Sequence, residues 1–154
     1  MTAAQYGKEN RDLTVYYLYG ASGAGKTRSI YQAHPAGDIC RITDYGGKNG
    51  VRFDAYHGQP VLVLEEFYSQ IPIETMLNLL DIYPLTLPAR YSDRIACYTT
   101  VYLTSNIPLE GQYPEIQRYK PETWRAFLRR IHVVREFWRD GTIQEVIYDT
   151  KRKI

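Results

Sequence analysis

Residues 20–27 read Gly-Ala-Ser-Gly-Ala-Gly-Lys-Thr, which fits the G-x-x-x-x-G-K-[ST] pattern of a phosphate-binding loop. The run Val15-Tyr16-Tyr17-Leu18-Tyr19 precedes it and alternates too little for a half-wet strand, so it reads as a buried parallel one. Thr27-Arg28-Ser29-Ile30-Tyr31-Gln32-Ala33 follows as a short helix that Pro35 would end. A strand, glycine-rich loop and helix in that order constrain the chain to an α/β fold with a nucleotide at the loop. Gly20, Gly23 and Gly25 let the backbone turn its N–H groups inward, and the helix N-terminus adds partial positive charge for phosphates. The reading assigns Gly20, Ala21, Ser22, Gly23, Ala24, Gly25, Lys26, Thr27 and Arg28 to ATP. Lys26 reaches the β- and γ-phosphates, and the Thr27 hydroxyl ligates Mg2+.

Composition narrows the rest. A chain of 154 residues, 44% hydrophobic and 23% charged, is an ordinary globular domain with enough length to bury a core. Its net charge of +2 does not by itself argue for nucleic acid or a membrane, so any DNA contact must come from local patches. Cys40 and Cys97 make no C-x-x-C pair, and the three histidines have no metal-ligand spacing. Neither a membrane-length apolar run nor a signal peptide is present, which leads to an intracellular setting. Most of the tyrosines lie in strand-like runs (Tyr16, Tyr17, Tyr19, Tyr98, Tyr102, Tyr148), where packing explains them better than base stacking.

Strands are expected at 14–19, 38–42, 61–65, 98–104, 131–138 and 143–148, and helices at 73–82 and 121–130, each opened by a proline. Residues 84–97 read as a turn or hairpin and 110–114 as the start of a loop. Strands alternating with helices predict a central parallel sheet flanked by helices, with the nucleotide at the strand ends.

Glu65 and Glu66 end the run Val61-Leu62-Val63-Leu64. Adjacent strand residues face opposite ways, so the expectation gives them different work: Glu65 to the magnesium shell, Glu66 to the attacking water. Val101-Tyr102-Leu103-Thr104-Ser105-Asn106 is a second apolar strand ending in an amide, and Asn106 is read as a sensor that holds the water or touches the γ-phosphate. Arg129 and Arg130 close the last helix, either as solvated helix-end cations or as an arginine given to a neighbouring subunit. Arg90-Tyr91 is a basic, aromatic loop tip suited to gripping a phosphate backbone and stacking on a base. Lys48 and Arg52, in and beside the glycine-rich stretch Tyr45–Gly50, are candidates to join that surface.

This motif series resembles the superfamily 3 helicase domain of replication initiator (Rep) proteins, above all those of circoviruses, geminiviruses and related rolling-circle plasmids. G-A-S-G-A-G-K-T looks like their Walker A motif, V-L-V-L-E-E-F like Walker B, Y-L-T-S-N like motif C, and F-L-R-R-I like their arginine-finger segment. The resemblance implies a P-loop NTPase of AAA+-like type acting as an ATP-dependent DNA helicase. It implies Arg130 as finger ahead of Arg129, Asn106 as sensor, and Arg90 on a DNA-gripping hairpin. It also implies single-stranded DNA as partner and a homo-oligomeric ring of six. The hairpin lacks the Lys-Gly-Gly tip of the circovirus type, and the His-hydrophobe-His motif of the family's nicking endonuclease is absent. The expectation is therefore a motor domain at 14–154, preceded by a linker or oligomerisation remnant at 1–13 too short for full assembly. Its place would be the bacterial cytoplasm for a plasmid protein and the host nucleus for a eukaryotic virus. Three other readings compete: a P-loop kinase placing Arg125, Arg129 and Arg130 over its phosphates, an assembly module with ATP as structural ligand, and an RNA-virus superfamily 3 helicase.

Overall fold

A computed structural model describes residues 2–147. The chain begins with one turn of helix, α1 (Ala3–Tyr6), and then forms β1 (Thr14–Gly20), α2 (Lys26–Ala33), β2 (Ile39–Ile42) and β3 (Val61–Leu64). Next come α3 (Ile73–Leu79), a hairpin of β4 (Thr86–Leu87) and β5 (Arg94–Ile95), and β6 (Thr100–Ser105). The helices α4 (Pro114–Tyr119) and α5 (Pro121–Arg129) then lead into β7 (Val133–Phe137) and β8 (Ile143–Val146).

The fold is mixed α/β around a six-stranded sheet of order β2-β3-β6-β1-β7-β8. Every pairing from β2 to β7 is parallel, and β8 closes one edge antiparallel to β7. Side chains alternate across each strand. Val15 and Tyr17, Leu62 and Leu64, and Val101 and Leu103 join the larger core, where α3 supplies Ile73, Met76 and Leu79 and α5 supplies Trp124, Phe127 and Leu128. Leu18, Val61, Val63 and Tyr102 face the other way into a smaller core closed by Ile30 of α2. All four residues of β3 are buried, as a central strand covered on both faces requires.

The sequence expectations and the structure differ at a few places, each with a physical reason. α2 begins at Lys26, one residue early, because Gly25 takes a left-handed conformation (φ 95°) and serves as its N-cap. The stretch after residue 110 contains α4, a helix opened by Pro114 with Glu115 in its first turn and Arg118 in its last. Six residues are too few for apolar periodicity to register. Nor is residue 13 the edge of the packed body, since Leu13 is buried and Arg11 is only 2% exposed. Arg11 donates to the carbonyls of Tyr98 (3.2 Å) and Asp81 (2.6 Å) and lies over the Tyr98 ring at 4.4 Å. Tyr148, expected at the end of the last strand, lies outside the described residues. No helix among the described residues is long and apolar enough to cross a membrane.

Candidate nucleotide site and hairpin

Three parallel strands end side by side where the glycine-rich loop begins. β1 lies between β6 and β7, and β6 lies between β1 and β3. The chain leaves β1 toward β2 and leaves β6 toward β7 in opposite directions along the sheet, and a crevice lies at the carboxyl ends of these strands. A cavity of about 360 Å³ occupies it, lined by Ser22, Gly23, Gly25, Lys26, Thr27 and Arg28 from the loop and α2. Glu65, Glu66 and Asn106 line its other walls. Three separate sequence signals thus meet in one cleft.

Gly20 is required by a close approach: a Cβ there would come within 2.2 Å of the Phe137 carbonyl oxygen. Lys26 Nζ donates to the carbonyls of Gly20 (2.6 Å) and Ala21 (3.0 Å) and to Asn106 Oδ1 (3.3 Å). Partial burial pushes its pKa below the usual lysine value, while the charges of Glu65 and Glu66 oppose that shift. Thr27 Oγ1 donates to Glu65 Oε1 at 2.7 Å, and Arg41 of β2 lies 3.5 Å from Glu65 Oε2. Glu65 is 6% exposed. A hydroxyl and a carboxylate this close are a fitting pair of protein ligands for Mg2+, which takes most of its remaining oxygens from phosphates and water. Among the described residues no cluster of three or more His, Cys, Asp or Glu offers a metal cage.

The two acids part ways in backbone rather than by strand alternation. β3 ends at Leu64; Glu65 still donates its N–H to Ile42, but Glu66 turns to φ 51°, a left-handed conformation uncommon for a non-glycine residue. The expectation that adjacent strand residues must face opposite ways therefore fails here, because Glu66 is no longer in the strand and both carboxylates line one cavity. Thr104 Oγ1 accepts the Glu66 N–H at 3.1 Å and helps hold the turn. Backbone strain at a carboxylate in a cleft is a recurring mark of functional sites.

Beneath both turns runs a polar network that sequence reading missed. Gln112, fully buried, donates from Nε2 to Tyr17 Oη (2.8 Å), the Phe67 carbonyl (3.0 Å) and Ser105 Oγ (3.2 Å), and its Oε1 accepts from Ser69 (2.7 Å). It ties the acid-bearing turn to the end of β6. The Tyr17 phenol inside the network is pushed up to about 12 by burial. Nothing in the local sequence around Gln112 marks it, since its partners come from three other segments of the chain.

Arg129 and Arg130 precede β7, whose Phe137 pairs with Gly20 at the loop end of β1. They thus lie at the opposite end of the sheet, at least roughly 13 Å away along a strand rising about 3.3 Å per residue. Neither they nor Arg125 line the cleft of their own chain. Arg130 is tied down: Nε donates to the Leu77 carbonyl (3.0 Å), Nη1 to the Ala126 carbonyl (2.8 Å) and Nη2 to Asp81 Oδ2 (3.1 Å). Arg129 is exposed and makes no hydrogen bond or ion pair with the described residues.

The hairpin carries Arg90 and Tyr91 on its turn, with the guanidinium 5.0 Å from the ring centroid. Tyr91 is 93% exposed, the most exposed tyrosine among the described residues. The turn is anchored to the preceding loop: Arg90 N–H donates to Asp54, and the Phe53 N–H donates to the Pro88 carbonyl at 2.9 Å. Lys48 sits, exposed, on the one-turn 3-10 helix Gly47–Asn49 of that loop.

No family model matches the chain. Over 112 residues, 73% of this chain and 36% of the relative, it is 34% identical to the replication-associated protein of Beak and feather disease virus. The replication-associated protein of Porcine circovirus 2 is 30% identical over 89% of this chain and 41% of its own length. That of Canary circovirus is 28% identical over 98% of this chain and 48% of its own length. The chain therefore spans less than half the length of these relatives. Among solved structures, Saccharomyces cerevisiae Hsp104 in complex with casein aligns with 83% of this chain and 29% of its own, at 17% identity and a TM-score of 0.47, too low to add to the fold argument. Matches that cover most of this chain in several viruses make it a member of the replication-associated protein family of circular single-stranded DNA viruses.

Proposed function

We propose that this chain is the ATP-hydrolysing motor of a rolling-circle replication initiator, an AAA+-like P-loop domain that translocates on single-stranded DNA. The observation that carries this is the meeting of Lys26, the Thr27–Glu65 pair, Glu66 and Asn106 in one cleft at the ends of β1, β3 and β6. The position of β6 between β1 and β3 supports the AAA+-like assignment, because it brings Asn106 between the loop lysine and the two acids.

In this reading Lys26 exchanges its carbonyl partners for the β- and γ-phosphates of ATP. Glu65 and Thr27 hold Mg2+, which neutralises charge on the phosphate oxygens. Glu66 accepts a proton from the attacking water, and Asn106 orients that water against the γ-phosphate. A further cation completes the site from a neighbouring subunit in a homo-oligomeric ring, probed first as a hexamer. Arg129 is the better candidate, being exposed and without a hydrogen bond or ion pair among the described residues, where Arg130 is committed to Leu77, Ala126 and Asp81. The hairpin with Arg90 and Tyr91, assisted by Lys48, grips the strand through phosphate contacts and stacking, inside an infected or plasmid-bearing cell.

The kinase reading loses its support, since Arg125, Arg129 and Arg130 stand away from the cleft that a kinase would need them to cover. The test is ATP hydrolysis per subunit over a range of protein concentrations, with and without single-stranded DNA. A rate per subunit that climbs with concentration and again with DNA is the expected result. A rate flat in both would overturn the shared-site motor.

A further inference from the structure

A second cavity, of about 480 Å³, lies between the glycine-rich loop, the first turns of α3 and the base of the hairpin. Its volume falls within the ~300–1,000 Å³ range of small-ligand sites. Val51, Phe53, Ile71 and Leu87, all buried, supply apolar lining, and Lys48 and Arg52 are the charged residues at its border. No Asp or Glu lines it. Thr75 and Asn78, exposed on α3, contribute a hydroxyl and an amide that make no side-chain hydrogen bond with the described residues. The loop wall has a fixed shape. Gly46 has φ 71°, and a Cβ there would come within 2.0 Å of the Gly50 carbonyl oxygen.

Apolar lining, an amide able to pair with a base edge, and two cations at a border that no acid lines among the described residues match one chemistry: a base with its phosphate. Continuity with the hairpin points the same way, because Pro88 lines this cavity and leads directly to Arg90 and Tyr91. We propose that the cavity receives one unstacked base of the single-stranded DNA whose backbone the hairpin grips, with Lys48 and Arg52 on the adjoining phosphates. This rests on the strand-binding reading above and adds a base-holding site to it. The cavity also adjoins the hydrolytic centre. Tyr45 donates its phenolic proton to the Glu65 carbonyl, and Gln70 Nε2 donates to the Glu66 carbonyl at 2.6 Å; both residues line the cavity. A base seated there lies one side chain from the backbone of each acid.

The experiment compares binding of a fluorescent oligothymidylate with that of the same strand carrying abasic positions, by polarisation, for the wild-type chain, Asn78→Trp, Tyr91→Ala and the two combined. Circular dichroism and the melting temperature report that each variant is folded, and Thr75→Phe serves where Asn78→Trp fails that check. The wild type and Tyr91→Ala should each lose about tenfold on the abasic strand, within the range that stacking of a base contributes. Asn78→Trp combined with Tyr91→Ala should bind the intact strand at the abasic level and no longer distinguish the two. A wild type that binds both strands equally overturns the pocket and leaves strand binding standing. So does a double variant that still discriminates, because the base is then read neither in the cavity nor by Tyr91. Failure of the wild type to bind either strand overturns the pocket together with the DNA part of the proposed function.

Discussion

The cleft at the loop is walled by charge and backbone: Lys26, Arg28, Glu65 and Glu66 surround it, and the lysine rests on main-chain carbonyls. The cavity beneath the hairpin has apolar lining from Val51, Phe53, Ile71 and Leu87 and only two charged residues, both positive. The first suits a polyphosphate with a metal, whose charge must be met group by group. The second suits a flat, weakly polar body tethered to a phosphate. They differ also in completeness: among the described residues no arginine of α5 reaches the cleft, whereas the cavity is closed by segments of one chain. The hairpin cavity thus predicts binding without assembly, and the cleft predicts turnover only with it.

The strongest blow to the comparison would be struck at the cleft. Lys26→Ala should abolish ATP hydrolysis, measured as phosphate release, while single-stranded DNA binding persists; loss of both together would mean the two regions are not separable. Next is the missing cation. Arg129→Ala should leave ATP binding intact and lower turnover by on the order of 10³-fold, the scale of a trans arginine. Mixing it with Lys26→Ala subunits should restore part of the rate, since each protein then supplies what the other lacks. Arg130→Ala should instead lower the melting temperature, as it abandons two carbonyls and the Asp81 carboxylate at a cost of about 1.5–3 kcal/mol. An unchanged melting temperature with lost turnover would return the finger to Arg130.

A smaller effect would show what supports the cleft. Gln112→Leu removes one hydrogen bond each from Tyr17, Ser69, Ser105 and the Phe67 carbonyl and should cost about 1–3 kcal/mol in denaturant unfolding, with slower hydrolysis as the Glu66 turn loosens. On the hairpin side, Lys48→Ala should weaken DNA binding for all sequences and reduce the salt slope by about 1. The smallest effect concerns pH. Burial pushes the Cys40 thiol up to about 11 from an ordinary value of 9.0. Between those values the unfolded chain has given up the proton and the folded chain keeps it, so stability falls as pH rises through that window. Cys40→Ala should flatten that part of an alkaline melting series; an unchanged slope would assign it to the buried tyrosines.

Much of the cleft was legible because its residues sit at strand ends, where local rules act. The loop at 20–27, the acids after Val61–Leu64 and the amide after Thr100–Ser105 each follow an apolar run and announce themselves by chemistry that cannot be buried unpaired. The strands and the helices opened by Pro72 and Pro121 followed from the same periodicity and punctuation. The misreadings share a different cause. Strand alternation assigned Glu65 and Glu66 to opposite faces, and it lapsed where Thr104 of another strand took the Glu66 N–H. Likewise no local pattern around Arg130 marks Asp81, 49 residues earlier, as the partner of its guanidinium.

The sequence by itself determined that a phosphate-binding loop lies between a buried strand and a helix, and that two acids and an amide end two further strands. Those are short-range facts, set by spacing and by which residues tolerate water. The tertiary structure alone decided that β6 lies between β1 and β3, so that lysine, acids and amide converge. It also decided that Gln112 underlies them and that a cavity opens between loop, helix and hairpin. Those depend on long-range packing of segments that carry no mark of one another, and a local pattern cannot encode which distant partner a side chain will meet.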